Sequence, residues 1–399
     1  MVMYLNGKNN ANGLVLFELI LVIGSFRSAT PYLSIIKYLS ASYKIGIAFE
    51  PLNGKQRKKT GGAHDQFVKL CLGLGAHLVD FNLQNRTRIL VVQQFFYSDD
   101  WIKKLQRSIQ SKKNIGMLTL ASAGLDGQDD FLKKFKIKKV YAYDKGLISF
   151  LLNKRSALSK YTDVSIIQVG LPYHKYPLLS DFNIDWLVVS PTLFSFHSEL
   201  AKQDYLKNIL NLLDQIPKSQ VVAYKAHNGD VNDYFAPYFF QALAKYLIML
   251  RIDERLLRID FEIFPDFFYR NLMKLRTVIL YLQVKKRMFP VDILSADSGI
   301  SLEAFLPGVK KGVIGGNSNS MWGVQFYGLP YWNCVNPLFK LKQSELLGKS
   351  SEKYLDMNML YFGVEFNVLN FKFNAKKPSS HISTSQTIVD CIFDEMSLF

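Results

Sequence analysis

Short apolar runs alternate with amphipathic stretches along most of the chain, the pattern of strands buried on both faces and joined by crossover helices. The spacing predicts strands at Leu14–Val22, Lys44–Phe49, His77–Phe81, Arg88–Phe95, Ile115–Ala121, Lys138–Tyr143 and Val164–Gly170. Helices are predicted at Thr30–Leu39, His64–Leu74, Asp100–Ser111 and Leu147–Asn153, with Pro31 suited to a first helical turn. Two prolines, Pro172 and Pro177, mark a boundary at Tyr173–Asp185. A second series follows, with strands at Trp186–Ser190, Gln220–Tyr224, Leu257–Phe264, Val291–Ser295 and Gly312–Ile314. Its helices are expected at Asp204–Gln215, Tyr234–Met249, Phe267–Val284 and Ser301–Phe305. Beyond Asn336 the pattern weakens until a closing helix at Gln386–Met396.

Two alternating series imply an α/β protein of two Rossmann-like domains facing a cleft. The expected division is 1–175 for an acceptor-binding domain, 186–345 for a nucleotide-sugar-binding domain, and 346–399 for a segment packing back on the first. A length of 399 residues fits that count. The most apolar run, Leu14–Gly24, contains Glu18 and falls short of the roughly 20 residues a spanning helix needs. It reads as a buried strand rather than a signal-peptide core, and the protein is expected to be cytoplasmic, with peripheral contact to the inner membrane face.

Composition narrows the classes. Hydrophobic residues make up 49% and charged residues 21%, which excludes wholesale disorder and a disulfide-stapled miniprotein. The three cysteines are far apart and suit a reducing compartment. Net charge is +16, and residues 101–160 hold fourteen Lys/Arg against four Asp. Such a face attracts phosphates, acidic glycans or an anionic membrane, or simply solvates the protein.

Four loops at predicted strand ends carry candidate chemistry, because ligands of open α/β sheets bind there. Gly24-Ser25-Phe26-Arg27-Ser28 leads from a strand into a helix and brings backbone N–H groups towards an anion, or is merely a tight turn. In Tyr143-Asp144-Lys145-Gly146, Asp144 is placed to take a proton from a hydroxyl, or serves the turn. Lys225 and His227 sit two apart at the end of an extended run, so they project to one side and can both donate to a phosphate, or are a surface lysine and a hydrogen-bonded loop histidine. Ser298-Gly299-Ile300-Ser301 precedes the helix expected to carry Glu303, and forms either a phosphate seat or a plain cap. Asp126, Asp129 and Asp130 read as a solvated loop, so no metal site is expected.

A Tyr-Asp turn, then a strand ending in Lys225-Ala226-His227, then a serine turn before a Glu-bearing helix, resembles the layout of GT-B-fold glycosyltransferases of bacterial surface polysaccharides. The likeness is to sialyltransferases, with CDP-glycerol polymerases as the rival family. Here Lys145 stands where those sialyltransferases have a second Asp, Asn228 replaces a proline, and Gly299-Ile300 splits a serine pair. The resemblance implies an inverting, metal-independent transferase with no cofactor, using a nucleotide sugar, a CMP-sugar above others, and a glycan or glycolipid acceptor. Asp144 and His227 would be catalytic. Gly24, Ser25, Lys225, Glu262, Ser298, Gly299 and Ser301 would bind the donor, with Glu262 near the nucleobase. A CDP-glycerol-type polyol-phosphate transferase, a sugar-nucleotide epimerase, and a basic nucleic-acid- or membrane-binding protein are the alternative readings.

Overall fold

Runs rich in leucine, isoleucine and valine are stable as parallel strands only when both faces are covered, and the first run of this chain meets that condition. In the computed structural model, β1 (Leu14–Ile23) has its last five residues, Leu19 to Ile23, fully buried. The structure describes residues 14–24, 29–50, 63–93, 97–118, 129–143, 164–179, 182–189, 196, 198–225, 238–252, 265–290, 300–316, 324, 327–334 and 386–398. The chain packs as two units. One comprises Met1–Ser180, Ser298–Ala304 and Ser379–Phe399, and the other Asp181–Asp297 and Phe305–Pro378. The segment 298–304 thus leaves the second series, with which 186–345 had grouped it, and joins the first unit.

In the first unit β1 lies between β2 (Ile45–Phe49) and β4 (Gln84–Gln93). With β3 (His77–Leu78), β5 (Ile109–Leu118), β6 (Lys139–Ala142) and β7 (Ser165–Gln168), they form a seven-stranded sheet. Its order is β3-β2-β1-β4-β5-β6-β7, and every pairing is parallel. This is the doubly wound Rossmann order, whose direction reverses between β1 and β4. Helices α1 (Thr30–Leu39), α2 (Ala63–Gly73), α3 (Asp99–Ser108) and α4 (Asp129–Lys134) fall in the crossovers. The basic helix α3 buries Trp101, Ile102 and Leu105 and turns Lys103, Lys104 and Arg107 outward.

Two expectations are corrected here. The helix predicted to reach Ser111 stops at Ser108, and the strand predicted from Ile115 starts at Ile109. Ile109 is extended (φ −123°, ψ 123°), and Gln110 to Lys113 pair with Arg86 to Ile89 of β4, so sheet pairing overrides a polar, helix-like composition. Asp129 and Asp130 open α4 rather than lying in a loop. The helix expected at Leu147–Asn153 lies outside the described residues.

The C-terminal helix α8 (Ile388–Ser397) belongs to this unit and packs on α1 and β4. Thr387 caps it with a reciprocal bond to Asp390, and Gly170 and Thr387 form a parallel bridge. The Glu395 carboxylate, in a residue 3% exposed, is paired with Lys113 and Lys139 and accepts a 3.0 Å bond from the Tyr141 hydroxyl. Asp390 takes Lys175 and Tyr176. With Lys134 paired to Asp99, three cations of the basic region 101–160 are already engaged.

In the second unit β8 (Ile184–Val189), β9 (Val222–Lys225), β10 (Phe289–Pro290), β11 (Val309–Gly315) and β12 (Tyr331–Asn333) form a parallel sheet of order β10-β9-β8-β11-β12. Counted within the unit this is again 3-2-1-4-5, with the reversal between β8 and β11. Helix α5 (Glu199–Gln215) begins before the expected Asp204 because Ser198 caps it, its hydroxyl accepting from Ala201 N–H at 3.1 Å. Helix α6 (Tyr238–Met249) packs on α7 (Asp266–Lys286). Tyr205, Ile209 and Leu213 of α5 meet Tyr281 and Val284 of α7 and Val188 and Ile314 of the sheet. The helix expected at Ser301–Phe305 is instead two 3-10 turns, Leu302–Ala304 and Leu306–Gly308. Pro307 denies an α-helix its ladder bond, and Gly308 lies so close to the Phe182 carbonyl that an added Cβ would sit 2.0 Å from it. The strands expected at Leu257–Phe264 and Val291–Ser295 lie outside the described residues.

The acids of α8 give two predictions. Glu395→Gln, which leaves Lys113 and Lys139 facing each other around a neutral amide, should cost about 2 kcal/mol in urea unfolding. Burial would raise the Asp390 pKa, but Lys175, Tyr176 and Thr387 outweigh it and hold it at about 2. A depressed carboxyl stabilises above its unfolded pKa and stops doing so as pH falls through the folded one. Stability should therefore drop by about 1 kcal/mol, a screened surface value, between about pH 4 and 2. Asp390→Asn should remove that component of the pH profile.

Candidate functional site at the carboxyl ends of the sheets

The reversal of strand order in the first sheet leaves β1 and β4 ending side by side with their following helices on opposite faces. Val22 of β1 pairs with Val92 of β4, which places Gly24 beside Gln93. The fully buried Gln93 side chain accepts the Gly24 N–H through Oε1 at 2.9 Å. That donor of the predicted anion-binding turn is therefore engaged within the protein. Ser25, its neighbour in the turn, lies outside the described residues.

Aromatic residues back this corner. The Tyr97 hydroxyl donates to the Gln93 carbonyl at 2.7 Å, and its ring stacks on Trp101 at 5.0 Å. Burial first, then the nearby Tyr32 and Glu50, pushes the Tyr97 phenol well above its ordinary pKa, so it stays a neutral donor. Glu50, just past β2, accepts the Ser98 N–H at 3.1 Å and also its hydroxyl, tying the loop after β2 to that after β4. The Tyr32 hydroxyl on α1 is buried with no hydrogen-bond partner among the described residues. Such a group is costly until water or a ligand meets it.

Ser301 falls at this same end of the first sheet. Its backbone N–H donates to Thr30 Oγ1, in the first turn of α1, at 2.7 Å. The structure thus brings Ser301 to the helix that follows the Gly24 turn. The α-helix expected after it is replaced by a three-residue 3-10 turn, and the Ser301 N–H is committed to Thr30, while Ser298 and Gly299 of the expected phosphate seat lie outside the described residues.

In the second unit Lys225 ends β9 and pairs with Val189, the last residue of β8, beside the reversal point. Lys225 is 6% exposed and its ammonium stands 6.0 Å from the Phe305 ring centroid. Phe305 in turn packs edge-on against Phe182 at 5.2 Å. At the reversal itself a Cβ on Gly315 would lie 2.6 Å from the Tyr331 hydroxyl and 2.9 Å from the Val189 carbonyl. The strand ends there are closed by Tyr331, which donates to the Gly316 carbonyl.

Of the sequence-derived candidates, Gly24, Lys225 and Ser301 are described. Asp144, His227, Glu262, Ser298 and Gly299 lie outside the described residues. Sequence reasoning missed Gln93, Tyr97 and Thr30. Only Gln93 left a signal, as the first of two adjacent amides, Gln93 and Gln94, closing the apolar run Ile89–Val92. Among the described residues no group of three His, Cys, Asp or Glu is arranged to hold a metal ion, and all three cysteines are buried free thiols.

No protein-family model matches this chain, and no curated protein matches it. Among solved structures it is similar at 10% identity to MnaA of S. aureus in a structure with UDP, over 96% of this chain and 97% of the other, with a TM-score of 0.42. A UDP-GlcNAc 2-epimerase of Methanocaldococcus jannaschii gives 10% identity over 96% and 99%, with a TM-score of 0.42. A UDP-glucosyltransferase of Polygonum tinctorium gives 11% identity over 98% and 94%, with a TM-score of 0.36. The class defined here, a protein of two Rossmann-like α/β units, rests on the strand orders themselves.

Replacing Gln93 by Leu keeps the volume but strips the Gly24 N–H of its acceptor. The variant should lose about 1–2 kcal/mol in chemical denaturation, whereas Gln93→Glu, which still accepts, should lose less.

Proposed function

We propose that the protein is an inverting, metal-independent glycosyltransferase of the GT-B kind. It would move a sugar, sialic acid being the candidate, from a CMP-activated donor to a glycan acceptor of a cell-surface polysaccharide or lipopolysaccharide. The observation that carries this reading is a buried lysine, Lys225, at the carboxyl edge of the second of two doubly wound sheets. That is where open α/β sheets bind ligands, and an ammonium there suits a phosphate.

In the proposed reaction Lys225 and His227 donate to the donor phosphate and stabilise the charge it gains on leaving. Asp144 takes the proton from the acceptor hydroxyl, whose oxygen attacks the anomeric carbon from the face opposite the phosphate. The carbon–oxygen bond to the phosphate breaks as the new glycosidic bond forms, so the anomeric configuration inverts through an oxocarbenium-like state, the reverse of inverting hydrolysis. Backbone near Glu262 receives the nucleobase. Gly24, Ser25, Ser298 and Gly299 belong to the donor-binding set, and Ser301 contributes its hydroxyl.

A thermal-shift panel of CMP, CDP, UDP, UMP and GDP tests this. CMP should raise the melting temperature of the wild type by mass action. Lys225→Met and His227→Ala should each weaken that binding by about ten- to a hundredfold. A uridine or guanosine preference would keep the transferase and discard sialic acid, and no shift with any nucleotide would overturn the proposal. Asp144→Asn should still bind CMP but transfer at least about a hundredfold more slowly. Undiminished transfer would remove Asp144 as the base.

A further inference from the structure

Helix α6 is apolar on two sides. Phe240, Leu243, Ala244, Leu247 and Ile248 pack against Leu275, Val278 and Ile279 of α7. A helix lying on a protein normally turns a polar face outward. Here the outward stripe is Phe239, Ala242, Tyr246 and Met249, at the three- and four-residue spacing of one helix face. Phe267 and Phe268 open α7 eleven residues, about three turns, before Val278 and Ile279, and so lie on the α7 face that α6 covers further along. Phe239, Tyr246, Met249, Phe267 and Phe268 are each between 55% and 73% exposed. Exposed side chains of this size, gathered on two packed helices, are an interaction surface rather than scattered surface apolars.

The charges around them select the occupant. Across α6 and α7 there are six Lys/Arg and a single acid, Asp266. Lys245, Arg270 and Lys274 are exposed. A second copy seated on the same face would bring these cations against their own kind, in a chain of net charge +16. Aromatic and aliphatic side chains interleaved with Lys and Arg are instead the make-up of helices that lie in the headgroup layer of an anionic bilayer. No helix among the described residues is long and apolar enough to cross a membrane, so the contact is a surface one.

We propose that the α6–α7 face docks the protein on anionic membrane surfaces, with Phe239, Tyr246, Met249, Phe267 and Phe268 entering the interface and Lys245, Arg270 and Lys274 pairing with lipid phosphates. This assigns membrane contact to the α6–α7 face instead of the basic region 101–160, where Lys113, Lys134 and Lys139 are held in ion pairs, and it does not depend on the donor chemistry.

Flotation of the full chain with phosphatidylcholine vesicles, with and without phosphatidylglycerol, tests the proposal. The anionic vesicles should carry the protein and the neutral ones should not. The triple variant Phe239→Ser, Tyr246→Ser, Met249→Ser should bind at least about tenfold more weakly with an unchanged melting temperature. Lys245→Gln with Lys274→Gln should also weaken binding, while Lys103→Gln with Lys104→Gln on α3 should not. If the triple variant fails to fold, Phe267→Ser with Phe268→Ser carries the same expectation. No capture by anionic vesicles, or equal capture of the serine variants, would overturn the proposal. So would a wild-type dimer that the serine substitutions make monomeric.

Discussion

Parallel strands cannot be joined by a tight turn, so each pairing in these sheets commits the chain to a crossover. That single constraint dictates most of the architecture. Starting each sheet at an interior strand and winding first one way, then the other, puts helices on both faces and leaves one reversal point. Both units obey it, with β1 and β4 at the reversal in one and β8 and β11 in the other. Strand ends diverge at the reversal, and polar groups stand at or next to it: Gly24 with Gln93 in the first sheet, and Lys225 on β9, the strand next to β8, in the second.

The two ends are finished differently. In the first unit, hydrogen bonds knit the loops after β1, β2 and β4, through Gln93, Tyr97 and the Glu50–Ser98 pair. In the second, aromatic rings close the strand ends, with Phe305 near Lys225 and Tyr331 across Gly315. The excess positive charge is also unevenly used. The acids of α8 engage lysines of the first unit, whereas Lys245, Arg270 and Lys274 of α6 and α7 are exposed on helices that also carry exposed aromatic side chains.

The sheets were legible because buried parallel strands write themselves as continuous apolar runs, as in Leu19–Ile23. Gln110–Lys113 was not, because these polar residues are strand only by pairing with β4, on the far side of an intervening helix. The three-residue strand β12 carries too little pattern to be seen, and the turns after Ser301 mimic a helix until Pro307 and the Phe182 backbone are considered. The candidate site was legible where residue type and strand end coincide, as at Lys225. The Thr30–Ser301 bond joins positions 271 residues apart, and no local spacing announces it.

The proposed chemistry turns on one contact, that of Lys225 with a nucleotide phosphate. Phosphorus NMR of CMP titrated with the protein reads that contact at the atom concerned. A shifted and broadened CMP resonance is expected with the wild type, and an unperturbed one with Lys225→Met. An unperturbed resonance with the wild type, or the same perturbation with the variant, would contradict that contact.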